Sequence, residues 1–139
     1  MADLKHLNYV RKGAKTWNAF RLDNPNIIPD LSGADLSRLN LKNANLCVTI
    51  LTQANLSWAD LHGADLRLAN LCQADLSRAD LTETKIAKAI LIEADLSGAD
   101  LRGADLTGAC LYKANLSEAN LTGVNLSVAD FNNLKTVEV

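Results

Sequence analysis

The sequence predicts an all-β solenoid preceded by a short helical segment, and three observations predict it. From residue 29 to residue 133 the chain repeats a five-residue unit, Ala-(Asp/Asn)-Leu-x-x, without insertion or deletion. The first position is Ala in 16 of 21 units, the second is Asp or Asn in 17, and the third is Leu in 19. Six of the seven glycines occupy the fifth position, where a turn with positive φ is best accommodated by Gly.

A period of five fits neither regular element. An α-helix returns to the same face every 3.6 residues and a strand every two, so Leu at every fifth position would spiral around a helix. The remaining solution is a solenoid in which each unit forms one short extended side and one corner. Successive coils then stack and bury a shared core of Leu and Ala.

The segment before the repeats has a different pattern. Its apolar residues recur at steps of three and four, which predicts one amphipathic helix over residues 3–22; they are Leu4, Leu7, Val10, Ala14 and Trp17. Pro25 and Pro29 follow the predicted helix. We therefore divide the chain into a helical cap and linker (1–28), the repeats (29–133) and a short tail (134–139).

The repeats resemble the pentapeptide-repeat family, whose unit is A(D/N)LxX. The resemblance is carried by runs such as Ala64-Asp65-Leu66, Ala74-Asp75-Leu76 and Ala99-Asp100-Leu101. It implies a right-handed quadrilateral β-helix with four units in each coil, hence about five coils, with the first and third positions inward. The segment Trp17–Arg21, followed by Asn24-Pro25, is similar to the leader of many cyanobacterial members.

Each end of the predicted β-helix needs a cover, because an open coil exposes Leu side chains and unpaired backbone groups. We interpret the leader helix as an N-terminal α-helical cap; the alternative is a helix that also binds a partner. At the other end, Phe131 is expected to plug the last coil, with Leu134, Val137 and Val139 as an apolar tail.

Composition predicts a cytoplasmic protein. No apolar run reaches the length of a membrane helix, and the first residues lack the apolar region of a signal peptide. The three cysteines are Cys47, Cys72 and Cys110. Cys72 and Cys110 are expected nearly two coils apart, too far for a disulfide, and reduced thiols suit a cytoplasmic setting.

No catalytic, cofactor-binding or metal-binding motif stands out, so the sequence predicts a protein that is not an enzyme. His6 and His62 are interpreted as solvated surface residues. Ser recurs every twenty residues and is expected to bond nearby backbone at a corner. The column consists of Ser37, Ser57, Ser77, Ser97 and Ser117.

The Asp/Asn position has two interpretations. It can bond the backbone of the following turn, or it can form an acidic rod of the kind with which some family members mimic DNA toward type II topoisomerases. Duplex DNA carries one charge per about 1.7 Å, so a rod of roughly 25 Å would need about 15 negative charges. Residues 29–139 hold 14 Asp and Glu against 9 Lys and Arg, a net charge of −5. The charge therefore disfavours DNA mimicry and nucleic-acid binding.

The sequence thus favours a non-catalytic protein-interaction module with a regulatory role over the two alternatives, a DNA mimic and a purely structural rod. Aligning the chain in rows of twenty shows where the Asp/Asn rule fails: at Ile50, Lys85, Ile90 and Cys110. Three of these lie in one column beside other apolar residues. This apolar patch is predicted to bind a protein partner or a second copy of the chain. It comprises Val48, Ile50, Leu68, Cys72, Ile90, Ile92, Cys110 and Tyr112.

Overall fold

The protein is a right-handed quadrilateral β-helix of about five coils with a helical cap, as predicted. The structure is a computed structural model that describes residues 1–130. The expectations for Phe131, Leu134, Val137 and Val139 lie outside the described residues. Two helices come first, α1 (Leu4–Arg11) and α2 (Ala14–Asp23).

Parallel pairing between residues twenty apart builds the β-helix. Seventeen single-residue bridges connect successive coils, from Asp30↔Ile50 to Cys110↔Asp130, and within residues 1–130 no longer strand forms. We number the four sides by their central residues. The centres of side 1 are Leu31, Leu51, Leu71, Leu91 and Leu111; those of side 2 are Leu36, Leu56, Leu76, Leu96 and Leu116. Those of side 3 are Leu41, Leu61, Leu81, Leu101 and Leu121; those of side 4 are Leu46, Leu66, Ile86, Leu106 and Leu126.

Each unit is tied to the coils on both sides by backbone hydrogen bonds. In the unit of Leu76, the Asp75 amide donates to the Ala54 carbonyl at 2.9 Å, and the Leu76 amide donates to the Asp95 carbonyl at 2.7 Å. The amide at the fifth position also donates to the next coil. The ladder therefore satisfies the backbone of the interior coils without a continuous strand.

Every corner adopts the same left-handed backbone conformation. All twenty fifth positions from Gly33 to Val128 have positive φ, between 50° and 70°. The glycines at this position confirm the turn prediction, but fourteen of these twenty corner residues are not Gly. For Val48, at φ 60°, the branched Cβ makes this conformation particularly unfavourable.

The third and first positions form the core, as the resemblance implied. Nearly every central Leu and nearly every first-position Ala from Leu31 to Leu116 is buried. Burying one Leu contributes about 1.5–3 kcal/mol, so the stacked centres are the main stabilising term. Six basic residues at the outward positions of the unit are all exposed: Arg38, Arg67, Arg78, Lys85, Lys88 and Arg102.

The prediction of a single leader helix is wrong, because Gly13 separates α1 from α2. Gly13 has φ 99°, a conformation that ends one helix and changes the direction of the next. Val10, Trp17 and Phe20 are buried against the β-helix, whereas Leu4 is 80% exposed and does not belong to the packing face.

Side chains of the cap replace the hydrogen bonds that a preceding coil would make to the first coil. The Asn45 amide donates to Asn18 Oδ1 at 2.7 Å, and the Asn45 carbonyl accepts from Trp17 Nε1 at 2.7 Å. Arg21 donates to the Cys47 carbonyl at 2.8 Å. These contacts show how the helices cover the open edge of side 4.

The two histidines are not solvated surface residues, which corrects the interpretation from sequence. The imidazole of His6 is largely buried, and its Nδ1 accepts from the Asp30 amide at 3.1 Å. Nδ1 of His6 thus takes the place of the carbonyl oxygen that a preceding coil would offer to the Asp30 amide. His62 is half-buried and its Nδ1 lies 2.7 Å from Thr82 Oγ1 in the next coil.

Candidate interaction surface

The second position of the unit bonds the turn that follows it, as one interpretation predicted. All sixteen Asp and Asn residues at this position from Asp30 to Asn125 accept the backbone amide two residues later. The bond that Asp75 accepts from the Ser77 amide measures 2.9 Å. This is the Asx turn, and it holds each corner in register.

The serine column was assigned the wrong partner. In four of the five serines the hydroxyl donates to the preceding Asp or Asn side chain and not to backbone, as Ser57 Oγ does to Asn55 Oδ1 at 2.7 Å. Ser37, Ser77 and Ser117 do the same. The serines therefore extend the Asx turn outward.

On side 1 this polar ladder is interrupted. Ile50, Ile90 and Cys110 occupy second positions there, and Asn70 is the one member of the column between Ile50 and Cys110 that keeps an Asx turn. Ile90 is 39% exposed, although nothing in the unit requires an apolar residue at this outward position.

The structure brings all eight residues of the apolar patch together on side 1 and on the corner between sides 4 and 1. Val48 and Leu68 occupy that corner and are 39% and 55% exposed. The other members are half-buried or, for Ile90, exposed, and they form the outer face of side 1. The patch covers four successive coils and forms an apolar strip along side 1, which Asn70 interrupts in the second coil of the strip.

Polar and charged groups border the strip at both corners, and the sequence analysis did not single them out. Lys88 occupies the corner between sides 4 and 1, and Glu93 the corner between sides 1 and 2. Gln53 donates to Gln73 at 3.0 Å, and Gln73 donates to Glu93 at 2.8 Å. The twenty-residue spacing of these corner residues is the signal that would have found this ladder.

A second exposed feature, also missed from the sequence, lies on the corner between sides 2 and 3. Trp58 is 51% exposed, and the guanidinium carbons of Arg38 and Arg78 lie 5.5 and 5.2 Å from the centre of its ring. Cation–π attraction fixes the three side chains against one another. Their spacing of twenty residues places them in one column of the coil.

Two of the three cysteines have thiols whose ionisation is disfavoured by burial. Burial raises the pKa of the Cys72 thiol and of the Cys47 thiol. Each cysteine is free, and within residues 1–130 no group of His, Cys, Asp and Glu is arranged to hold a metal ion. In the same part of the chain, no helix has the length and apolar character needed to cross a membrane.

Comparison with known proteins agrees with the geometry. The profile of the pentapeptide repeats matches residues 30–67, 64–103 and 99–133 in eight copies. The chain belongs to the pentapeptide repeat family. No curated protein sequence matches it.

Two crystal structures of pentapeptide repeat proteins are similar over most of the chain. Rfr23 from the cyanobacterium Cyanothece 51142 is 35% identical over 90% of this chain and 97% of its own, with a TM-score of 0.78. The protein alr5209 from Nostoc PCC 7120 is 31% identical over 81% of this chain and 94% of its own, with a TM-score of 0.64. The fold, including its helical part, is therefore that of known family members.

Proposed function

We propose that this pentapeptide repeat protein is a non-catalytic protein-interaction module and that the apolar patch on side 1 is its contact surface. One observation carries the proposal. The Asx turn recurs around sides 2 and 3, yet on side 1 three of its positions hold outward apolar residues. Since Asp or Asn would fit each of them, the fold itself gives no reason for Ile50 or Ile90.

Backbone strain at the adjoining corner supports the proposal. Val48 and Leu68 have φ of 60°, where Gly or Asn would cost less, and both side chains are exposed. Strained residues persist where function selects them or where the surroundings enforce them. Here the turn enforces the conformation at every corner, but it does not select an apolar side chain.

A non-catalytic role is supported by the filled interior. The centres and the first positions are buried throughout the middle coils, so the β-helix encloses Leu and Ala side chains where a substrate cleft would need space. Free cysteines on the outer surface are consistent with a reducing compartment, and we place the module in the cytoplasm.

The charge distribution disfavours the DNA-mimic alternative. Asp60, Asp80 and Asp100 form an acidic column on side 3, but Lys42 lies 3.4 Å from Asp60, and Arg102 lies 2.6 Å from Asp100. These ion pairs divide the negative charge into short segments, unlike the continuous charge of a duplex. A large excess of the protein is expected to leave supercoiling by a DNA gyrase unchanged.

A pair of substitutions tests the contact surface without disturbing the fold. Ile90→Asp and Ile92→Ser, made together, give side 1 the residues that Asp75 and Ser77 provide on side 2. The matched control, Asp75→Asn with Ser77→Thr, changes the same unit positions on side 2. Pull-down from the native lysate should lose its specific partners with the first variant and keep them with the control.

Far-UV circular dichroism should show the same fold for both variants. If the side 1 variant recovers the same partners as the unmodified protein, the apolar patch is not the contact surface. If the unmodified protein recovers nothing specific and is monomeric at every concentration, the purely structural rod is the better account.

A further inference from the structure

We infer that the occupant of the apolar patch is a second copy of this chain, packed side 1 against side 1 with both rods pointing in the same direction. The inference rests on the proposed function, since it uses the same patch. In this arrangement the two-fold axis runs along the rods, so each residue faces the opposite edge of the second copy at the same coil level.

Charge placement at the two edges of side 1 supports the second copy. Lys88 and Glu93 lie at opposite corners of one coil level, and both are exposed. Within residues 1–130 neither makes an ion pair; Glu93 accepts only from Gln73. Across the two-fold axis, Lys88 of each copy faces Glu93 of the other. One pair of residues therefore supplies two ion pairs that flank the interface.

The apolar residues between these corners are also complementary under the same symmetry. Ile90 and Ile92 lie on either side of the buried Leu91, so Ile90 of one copy faces Ile92 of the other. One level further along, Cys110 faces Tyr112 in the same way. The apolar pairs thus lie at the centre of the contact, and the charged pairs lie at its rim.

The reversed orientation does not give this match. If the second rod pointed the opposite way, each corner column would face itself. Lys88 would then meet Lys88, Leu68 or Gly108 of the second copy, and Glu93 would meet Glu93, Gln73 or Lys113. Like charges facing each other are unfavourable. Only the register that brings Glu93 opposite Lys113 avoids them with an opposite charge, and it leaves Lys88 facing Gly108. The parallel dimer pairs both Lys88 and Glu93, so we assign that orientation, and the substitution at Lys88 distinguishes the two.

The size of the contact predicts a weak dimer. Four coils at about 4.8 Å give a height of roughly 20 Å, and five residues span at most about 16 Å. The flat area is therefore about 300 Å² per copy, below the roughly 800 Å² per partner of standard interfaces. Such a dimer should be weak and should form only at high protein concentration.

Sedimentation of the full chain over a range of concentrations, combined with a charge swap, tests the arrangement. The unmodified protein should move from the 15.0 kDa monomer toward twice that mass as its concentration rises. Lys88→Glu and Glu93→Lys, made singly, each set two pairs of like charges opposite each other. Each should raise the dissociation constant at least tenfold. The double variant restores opposite charges and should recover the dimer.

Glu118→Lys is the matched control, because Glu118 is an exposed corner residue between sides 2 and 3. It should dimerise like the unmodified protein. A monomer at every concentration, or a double variant that stays as weak as the single ones, would overturn the inference. If the protein stays monomeric while the pull-down still depends on Ile90 and Ile92, the proposed function survives and the second copy does not.

Discussion

Sides 1 and 2 of the β-helix have the same core and different outer surfaces. Leu71 and Leu76, the centres of neighbouring sides, are both buried, and both sides carry the same inter-coil hydrogen bonds. Side 2 continues outward into Asx turns and serine hydroxyls, whereas side 1 presents Ile and Cys at the same positions. The comparison shows that the inward positions determine this fold. The outward positions can therefore change with function.

The largest effect is expected where the two sides agree. Leu76→Lys on side 2 and Leu91→Lys on side 1 each bury an unpaired charge among Leu side chains, and each should prevent folding. Gln73→Lys adds the same charge at an exposed corner and should alter stability by no more than about 0.5 kcal/mol. Thermal unfolding followed by circular dichroism measures all three. Similar midpoints for Leu76→Lys and Gln73→Lys would show that the inward register is wrong.

A moderate effect is expected where the sides differ. Asn55→Ala on side 2 removes the acceptor of the Ser57 amide and hydroxyl, and should cost about 1 kcal/mol. The thermal midpoint should fall by about 4 °C.

The converse change, Ile90→Asn, installs an Asx acceptor on side 1. It should leave stability within about 0.5 kcal/mol, because the new hydrogen bond offsets the lost apolar contact. A loss as large as that of Asn55→Ala would mean that Ile90 is needed for the fold, and the contrast between the two sides would disappear.

A smaller stabilisation is expected at the corner that borders the patch. Val48→Asn replaces a β-branched residue at φ 60° with one that tolerates this conformation. Denaturant unfolding should show a gain of about 0.5–1 kcal/mol. The same variant should associate more weakly, because Val48 belongs to the apolar patch. Asn43, which already has φ 57°, shows that the corner accepts the new residue.

Acid should weaken the Asx turns that are formed by Asp, and it should leave the contributions of Ile50 and Ile90 on side 1 unchanged. Hydrogen bonds from the Thr107 side chain and backbone lower the pKa of Asp105, and those from Ser37 lower the pKa of Asp35. Because these folded-state pKa values lie below the unfolded ones, their contribution is present above about pH 4 and is lost as the pH falls.

The thermal midpoint should therefore be constant just above pH 5 and decrease below pH 4. Asp105→Asn keeps an acceptor without a titrating proton, so it should make the decrease smaller. Ile90→Asn adds no titrating group and should leave the decrease unchanged. Equal acid sensitivity of the unmodified protein and Asp105→Asn would contradict this assignment for Asp105.

Most of the fold could be predicted from the sequence because every five-residue unit repeats the same local structure. The inward Leu, the inward Ala and the Asx turn are each encoded within five residues. The leader was predicted less well, because Gly13 interrupts a helical pattern that periodicity alone continues. The role of His6 depends on the Asp30 amide, 24 residues away, and no local pattern encodes that contact.

The candidate surface was predicted only in part. Aligning the sequence in rows of twenty identified the apolar residues, because residues twenty apart lie above one another in successive coils. The same rows contain Lys88 and Glu93. That these two residues can form ion pairs becomes evident only when the opposite corners of side 1 are placed against a second copy of the chain. Rows of twenty also stack Trp58 between Arg38 and Arg78. Trp58 was missed because it occupies the fifth position, which accepts many residue types, so it breaks no rule of the repeat unit.

Nuclear magnetic resonance of the unmodified protein, recorded from dilute to concentrated solution, tests the central claim most directly. The amide shifts of side 1, at Lys88, Ile90 and Ile92, should move with concentration, while those of Ser77 and Asp80 on sides 2 and 3 should stay constant. Shifts that move on sides 2 and 3 or on the helical cap would contradict the assignment of side 1 as the contact surface. Shifts that do not move anywhere would contradict the second copy as its occupant.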